Sequence, residues 1–96
     1  MLFALICTDK PNSLDLRLAT RPVHVKYLES LGSALKSAGP FTTDDGSPNG
    51  SLVILDVADW AAAESIAAND PYAKAGLFAS VDIRAWKWTM KNPETA

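Results

Sequence analysis

Two stretches without a polar residue, Leu2-Phe3-Ala4-Leu5-Ile6-Cys7 and Leu52-Val53-Ile54-Leu55, set the tightest limit on what this chain can fold into. A strand with one face in water alternates apolar and polar residues, so a strand that does not alternate is covered on both faces. A chain of 96 residues is one domain, 1–96, because folded units run to roughly 100–150 residues and a second core cannot be built from what remains. With 48% hydrophobic and 21% charged residues, it has the material for a core, which excludes a disordered or fibrous chain.

The first apolar run reads as a central strand from Leu2 to Thr8. Ser13 is placed to cap a helix by accepting from a backbone N–H, with Asp15 in the first turn against the helix dipole. Pro22 lacks the donor of an interior helical bond but suits a first turn, so the pattern predicts a short helix at 14–19 and a longer one from near Pro22. On that second helix His24, Leu28, Leu31 and Leu35 share one stripe. Ala38-Gly39-Pro40 closes it, and Phe41-Thr42-Thr43 reads as a short edge strand. Asp44 to Gly50 is turn chemistry, with Asp45-Gly46 and Asn49-Gly50 as positive-φ candidates. A strand follows from Ser51 to Val57. Asp59 caps a small-sided helix from Trp60 to Ala68, and Pro71 opens one more turn, which Gly76 stops. In the last strand, Leu77 to Thr89, Val81, Ile83 and Ala85 alternate with Ser80, Asp82 and Arg84. Trp86 and Trp88 then occupy the formerly polar face, which implies a bulge or a face that becomes covered.

Strand, helix, strand, strand, helix, strand is the order of a ferredoxin-like α+β domain, βαββαβ, with a four-stranded antiparallel sheet. Right-handed crossovers put both helices on one face and the first and third strands in the centre. Those two strands hold the unbroken apolar runs. Nothing in the chain is left to cover the other face, so the expected cover is a second copy: a homodimer with its sheets face to face.

Composition narrows the chemistry. A net charge of −2 gives no basic footprint for nucleic acid. One Cys and one His exclude an intrachain disulfide and a zinc site of Cys and His ligands, and no residue pattern requires a cofactor. The apolar start is too short for a secretory signal and lacks a basic segment, and no window reaches the ~20 apolar residues of a membrane span. With a lone Cys7 these readings predict a cytoplasmic protein. Proton transfer near neutral pH falls to His24, which is either a core histidine satisfied by a carbonyl or a general acid or base oriented by a carboxylate. Asp70 is either a helix N-cap before Pro71 or that carboxylate, although 46 positions separate the two. The segment Gly46 to Ser51 resembles a phosphate loop in composition only, since it leads into a strand. There is no Gly-x-Ser-x-Gly elbow. Arg17 and Arg21 could hold a carboxylate near the helix start, with solvation the default for each. Trp60, Trp86 and Trp88 read as core or interface.

The order Cys7-Thr8-Asp9, Arg21-Pro22-Val23-His24, Ala38-Gly39-Pro40, Gly50-Ser51 and Asn69-Asp70-Pro71-Tyr72 through Leu77 resembles the YciI-like (YCII-related) family over nearly the whole chain. The resemblance implies a ferredoxin-like dimeric α/β barrel with a His/Asp-centred site, which falls on His24 and Asp70. It also implies that Asp9, Arg21, Gly39, Pro40, Ser51 and Tyr72 line the same pocket. The family is related in fold to muconolactone isomerases and includes a dehydrochlorinase of a chlorinated hydroxyquinol. The expected function is a small cytoplasmic homodimeric enzyme, of isomerase or lyase type, moving a proton on a small cyclic or aromatic metabolite. A non-catalytic ligand-binding homodimer and a cofactor-free monooxygenase are the alternatives.

Overall fold

The computed structural model describes residues 1–94. Its elements are β1 (Leu2–Asp9), α1 (Leu14–Ser30), a 3-10 turn (Gly32–Ala34), β2 (Leu35–Thr42), β3 (Pro48–Asp56), α2 (Trp60–Asn69), α3 (Pro71–Lys74) and β4 (Phe78–Trp86). The strands form one antiparallel sheet in the order β2-β3-β1-β4. This is the expected α+β arrangement, with the two unbroken apolar strands at its centre.

Each central strand sends alternate side chains to opposite faces. Phe3, Leu5 and Cys7 of β1 and Val53 and Leu55 of β3 join Leu28, Ala63 and Ala67 in the core beneath the helices. Each fully buried large side chain there contributes about 1.5–3 kcal/mol. Ala63 is fully buried, and its small side chain lets α2 lie close to the sheet. Leu2, Ala4 and Ile6 of β1 and Leu52 and Ile54 of β3 point to the helix-free face, where Ala4 registers with Ile54 and Ile6 with Leu52.

The first helix differs from the sequence reading. α1 runs unbroken from Leu14 to Ser30 with Pro22 inside it. The missing N–H forfeits one bond, to the carbonyl four residues back, while the continuous helix buries Arg17, His24 and Leu28 on one face. It also ends earlier than the leucine stripe suggested. Gly32, at φ +59, takes the left-handed conformation that terminates it. Leu35 and the Ala38-Gly39-Pro40 segment are therefore strand, not helix: Ala38, Gly39 and Pro40 register with Val53, Leu52 and Ser51. Because β2 is an edge strand, the missing donor of Pro40 is tolerated.

Ser13 does not cap α1; its hydroxyl donates to the Pro11 carbonyl at 3.3 Å. Asp59 does cap α2, accepting from the Ala62 N–H at 2.9 Å. Gly46 has the positive φ of a turn residue, whereas Gly50 lies within β3 and is needed for space. A Cβ there would lie 2.6 Å from the Cys7 carbonyl oxygen. At the far end of β4, Trp86 registers with Leu2 on the helix-free face, while the sheet irregularity lies between Thr8 and Asp9 at the other end. A bulge therefore does not account for the tryptophans. Trp86 and Trp88 instead border an apolar hollow of about 330 Å³ on that face, with Ala4, Leu52 and Ile54. Among the described residues no helix is long and apolar enough to cross a membrane.

Candidate active site

α1 positions the site. Its face toward the sheet carries Arg17, Arg21 and His24, which meet Ser51 of β3, Tyr72 of α3 and the Gly39-Pro40 segment of β2 around a cavity of about 240 Å³. Arg17, Ser51, His24 and Asp70 are between 3 and 8% exposed, and each has a partner.

His24 Nδ1 lies 2.8 and 3.0 Å from the two carboxylate oxygens of Asp70. An ionised carboxylate only accepts, so in the neutral ring the proton sits on Nδ1 and Nε2 is left as a base. Asp70 is itself fixed: its Oδ1 accepts from the Tyr72 N–H at 2.9 Å, capping α3. The capping role and the histidine contact are thus two tasks of one carboxylate. Capping places Asp70 under the histidine because Pro71 starts α3 immediately afterward.

The Tyr72 ring lies nearly parallel to that of His24, with centroids 3.9 Å apart and planes 18° from each other. The Arg17 guanidinium carbon lies 4.7 Å from the Tyr72 ring centroid, within cation–π range. Burial pushes the Tyr72 hydroxyl pKa up, against the opposing pull of Arg17 and Arg21, so at neutral pH it is a phenol and can donate. Tyr27 ties α1 to α2 by donating to the Ile66 carbonyl at 2.8 Å.

A second chain of contacts runs beside the first. Arg17 Nη1 donates to both oxygens of Asp9, at 3.1 and 3.0 Å, while Nη2 donates to Ser51 Oγ at 2.8 Å. No buried side-chain nitrogen or oxygen among the described residues lacks a partner. Cys7, close by in β1, is not a candidate nucleophile: burial, with the Asp70 and Asp9 charges adding, pushes its thiol up to about 12. Among the described residues no group of three or more potential metal ligands occurs.

Of the residues singled out in the sequence, His24, Arg21, Gly39, Pro40, Ser51 and Tyr72 border the cavity. Asp70 stands behind His24, and Asp9 behind Arg17. Arg21 is exposed, a cation at the rim. Arg17 was expected to be solvated and is instead among the most buried charged groups. Its signal was its position seven residues before His24, two turns along one helix face, which a helix broken at Pro22 conceals.

The YCII-related domain family matches residues 1–87. An uncharacterised protein of Haemophilus influenzae is 37% identical over 95 residues, covering 91% of this chain and 97% of that protein. Protein YciI of Escherichia coli is 35% identical over 95 residues with the same coverage. The solved 5-chloro-2-hydroxyhydroquinone dehydrochlorinase of Burkholderia phenoliruptrix, in complex with 2,5-dihydroxybenzoquinone, superposes with a TM-score of 0.82. It is 37% identical, and the match covers 91% of this chain and 94% of that one. A cofactor-independent oxygenase from Streptomyces nogalater, at TM-score 0.57 and 8% identity over 95% of this chain and 96% of its own, shares the fold. With the match spanning both apolar strands, α1 and the Asp70 cap, the chain belongs to the YCII-related family.

Proposed function

We propose that this chain is a homodimeric, cytoplasmic enzyme in which His24, oriented by Asp70, moves a proton on a small oxygenated ring, as an isomerase or lyase. One observation carries the reading: His24 borders the cavity while Asp70 holds its Nδ1, leaving Nε2 for a substrate. Nε2 accepts a hydroxyl proton and the O–H electron pair becomes a C=O bond. The displaced ring electrons then take up a proton at carbon; where that carbon carries chlorine, a second ring hydroxyl next gives up its proton, its O–H pair becomes a second C=O bond, the ring double bond shifts and chloride leaves with the C–Cl electron pair. Arg21, Gly39, Pro40, Ser51 and Tyr72 bind the ring, and Asp9 acts through Arg17.

The cavity suits a ring of this size. A dry cavity of about 150 Å³ accepts benzene, so about 240 Å³ takes a substituted six-membered ring. A relative 37% identical to this chain is a dehydrochlorinase of a chlorinated hydroxyhydroquinone, which makes that compound the first to try. Under nitrogen, the protein is expected to release chloride from 5-chloro-2-hydroxyhydroquinone, or to exchange ring hydrogen of 2-hydroxyhydroquinone in deuterium oxide. The rate should exceed the buffer rate by at least ~10²-fold. Neither reaction above background sinks the reading, and 2,5-dihydroxybenzoquinone bound tightly and recovered unchanged selects a binding module instead.

The helix-free face supports the dimer. Leu2, Ile6, Leu52 and Trp86 line a face that no helix covers, and Trp86 and Phe41 are each 41% exposed. A second copy packed there removes this apolar surface from water. Light scattering at micromolar concentration should give twice the chain mass of 10.3 kDa; a monomer counts against it.

A further inference from the structure

Past β4 the chain turns back over the helix-free face. β4 ends at Trp86 on one edge of the sheet, and Lys36 lies in β2 on the other edge. Lys36 Nζ donates to Glu94 Oε1 at 2.7 Å, so residues 87–94 run from edge to edge as a strap. The strap is folded on itself. The Trp88 indole N–H donates to the Met90 carbonyl at 2.8 Å, the Asn92 amide to the Trp88 carbonyl at 3.4 Å, and the Glu94 N–H to Asn92 Oδ1 at 3.0 Å. The family match stops at residue 87, so Trp88 and the latch on Lys36 lie beyond it.

This end of the face is walled by the strap but not filled by it. Trp86 and Trp88 stand side by side, with ring centroids 5.7 Å apart and planes 32° from each other. They form a ridge between two apolar hollows, one of about 330 Å³ beside Ala4, Leu52 and Ile54 and one of about 570 Å³ beside Met1 and Leu2. A water's share of liquid volume is about 30 Å³, so either hollow has room for a large side chain. Packed interiors leave no such spaces, and rings beside them forgo the dispersion contacts that close packing supplies. A two-fold interface brings a patch against its own copy, and a ridge flanked by hollows is a relief that fits itself. The charges agree with that partner. Asp82 and Arg84, opposite in sign, register with Ile6 and Ala4 on this face of β4, while Asp56 and Lys36 are each paired within the chain. The sheet therefore presents no net charge to a second copy.

We propose that the Trp86–Trp88 ridge and its strap are the grip of the homodimer: the indoles of each copy enter the hollows of the other, and Glu94, latched on Lys36, holds the ridge in place across the sheet. This rests on the homodimer reading given above and assigns one end of its interface to a segment beyond the family match. It is independent of the chemistry of His24, which lies on the other side of the sheet.

The chain carries its own reporters. Of its three tryptophans, Trp60 lies on α2, edge-on to Phe3 in the core beneath the helices, so Trp60→Phe leaves the two ridge indoles as the only emitters. Fluorescence and light scattering of the full chain with Trp60→Phe are followed together on serial dilution from micromolar concentration. Emission should move to longer wavelength as the dimer dissociates and the indoles enter water. Trp88→Ala should raise the dimer dissociation constant about thirtyfold or more, the loss found at a buried interface tryptophan. Ser37→Arg sets a charge into the smaller hollow from an exposed position on β2 and should have the same effect, which keeps the test open if Trp88→Ala folds poorly. Glu94→Lys, which breaks the latch, should weaken the dimer about threefold, the scale of an exposed ion pair. A dimer whose emission does not change on dissociation overturns the grip and leaves the dimer standing, as does a folded Trp88→Ala or Ser37→Arg chain that dimerises as tightly as wild type. A chain that stays monomeric at every concentration sinks the dimer and the grip together.

Discussion

Replacing His24 with Ala is expected to lower turnover of an accepted ring substrate by about 10²- to 10⁴-fold, the usual contribution of a positioned general base, with the protein still folded. The ring is buried and stacked on Tyr72, so its loss also costs about 1–3 kcal/mol of stability by leaving the Asp70 carboxylate short of one partner. That carboxylate keeps its bond from the Tyr72 N–H, which is why α3 should persist. Asp70→Asn is the sharper variant. An asparagine oxygen can still cap α3, but its amide can donate toward the imidazole, which favours the tautomer with the proton on Nε2 and removes the base. The wrong tautomer costs about 10⁴-fold in serine proteases, where this effect is best characterised. Chloride release and thermal melting measured side by side decide the matter. If Asp70→Asn keeps a third or more of wild-type turnover, or if both variants lose activity only because they unfold, the pair is structural.

The central strands were legible because a strand covered on both faces cannot hide its composition: Leu2 to Cys7 and Leu52 to Leu55 have no polar residue to turn outward. Element order then placed β1 and β3 side by side, a consequence of crossover handedness rather than of any single residue. The start of β2 was obscured by its one leucine, Leu35. His24, Leu28, Leu31 and Leu35 have helical spacing, yet Leu35 belongs to a strand because Gly32 turns the chain and Leu35 registers with Leu55. Periodicity reports on local neighbours and is blind to a pairing twenty residues away. Asp70 could be read as a cap or as a histidine partner, and the choice was unresolvable in sequence because one carboxylate does both. Arg17 was lost for a different reason. Pro22 looked like a helix boundary, and only a helix that continues through it puts Arg17 and His24 on one face of α1.

Arg17→Met is expected to cost about 3–5 kcal/mol, because it leaves the Asp9 carboxylate without its cation in a site where both side chains are 5% exposed. Against a typical domain stability of about 5–15 kcal/mol, this is a shift in melting temperature on the order of 15 °C or more. Asp9→Leu alone should be comparably damaging, since it strands the guanidinium. The double variant Asp9→Leu/Arg17→Met removes both charges and should recover to within about 2 kcal/mol of wild type, as buried pairs exchanged for apolar side chains often do. Urea midpoints for the two single variants and the double variant measure this coupling directly; strictly additive losses would mean that the pair is not an energetic unit. The recovered double variant is the informative one. It has a stable fold and a Ser51 hydroxyl that no longer receives a guanidinium bond, so it should bind 2,5-dihydroxybenzoquinone more weakly than wild type does. Stability regained without ligand affinity would assign the buried ion pair to the chemistry of the cavity, since apolar residues serve the core equally well.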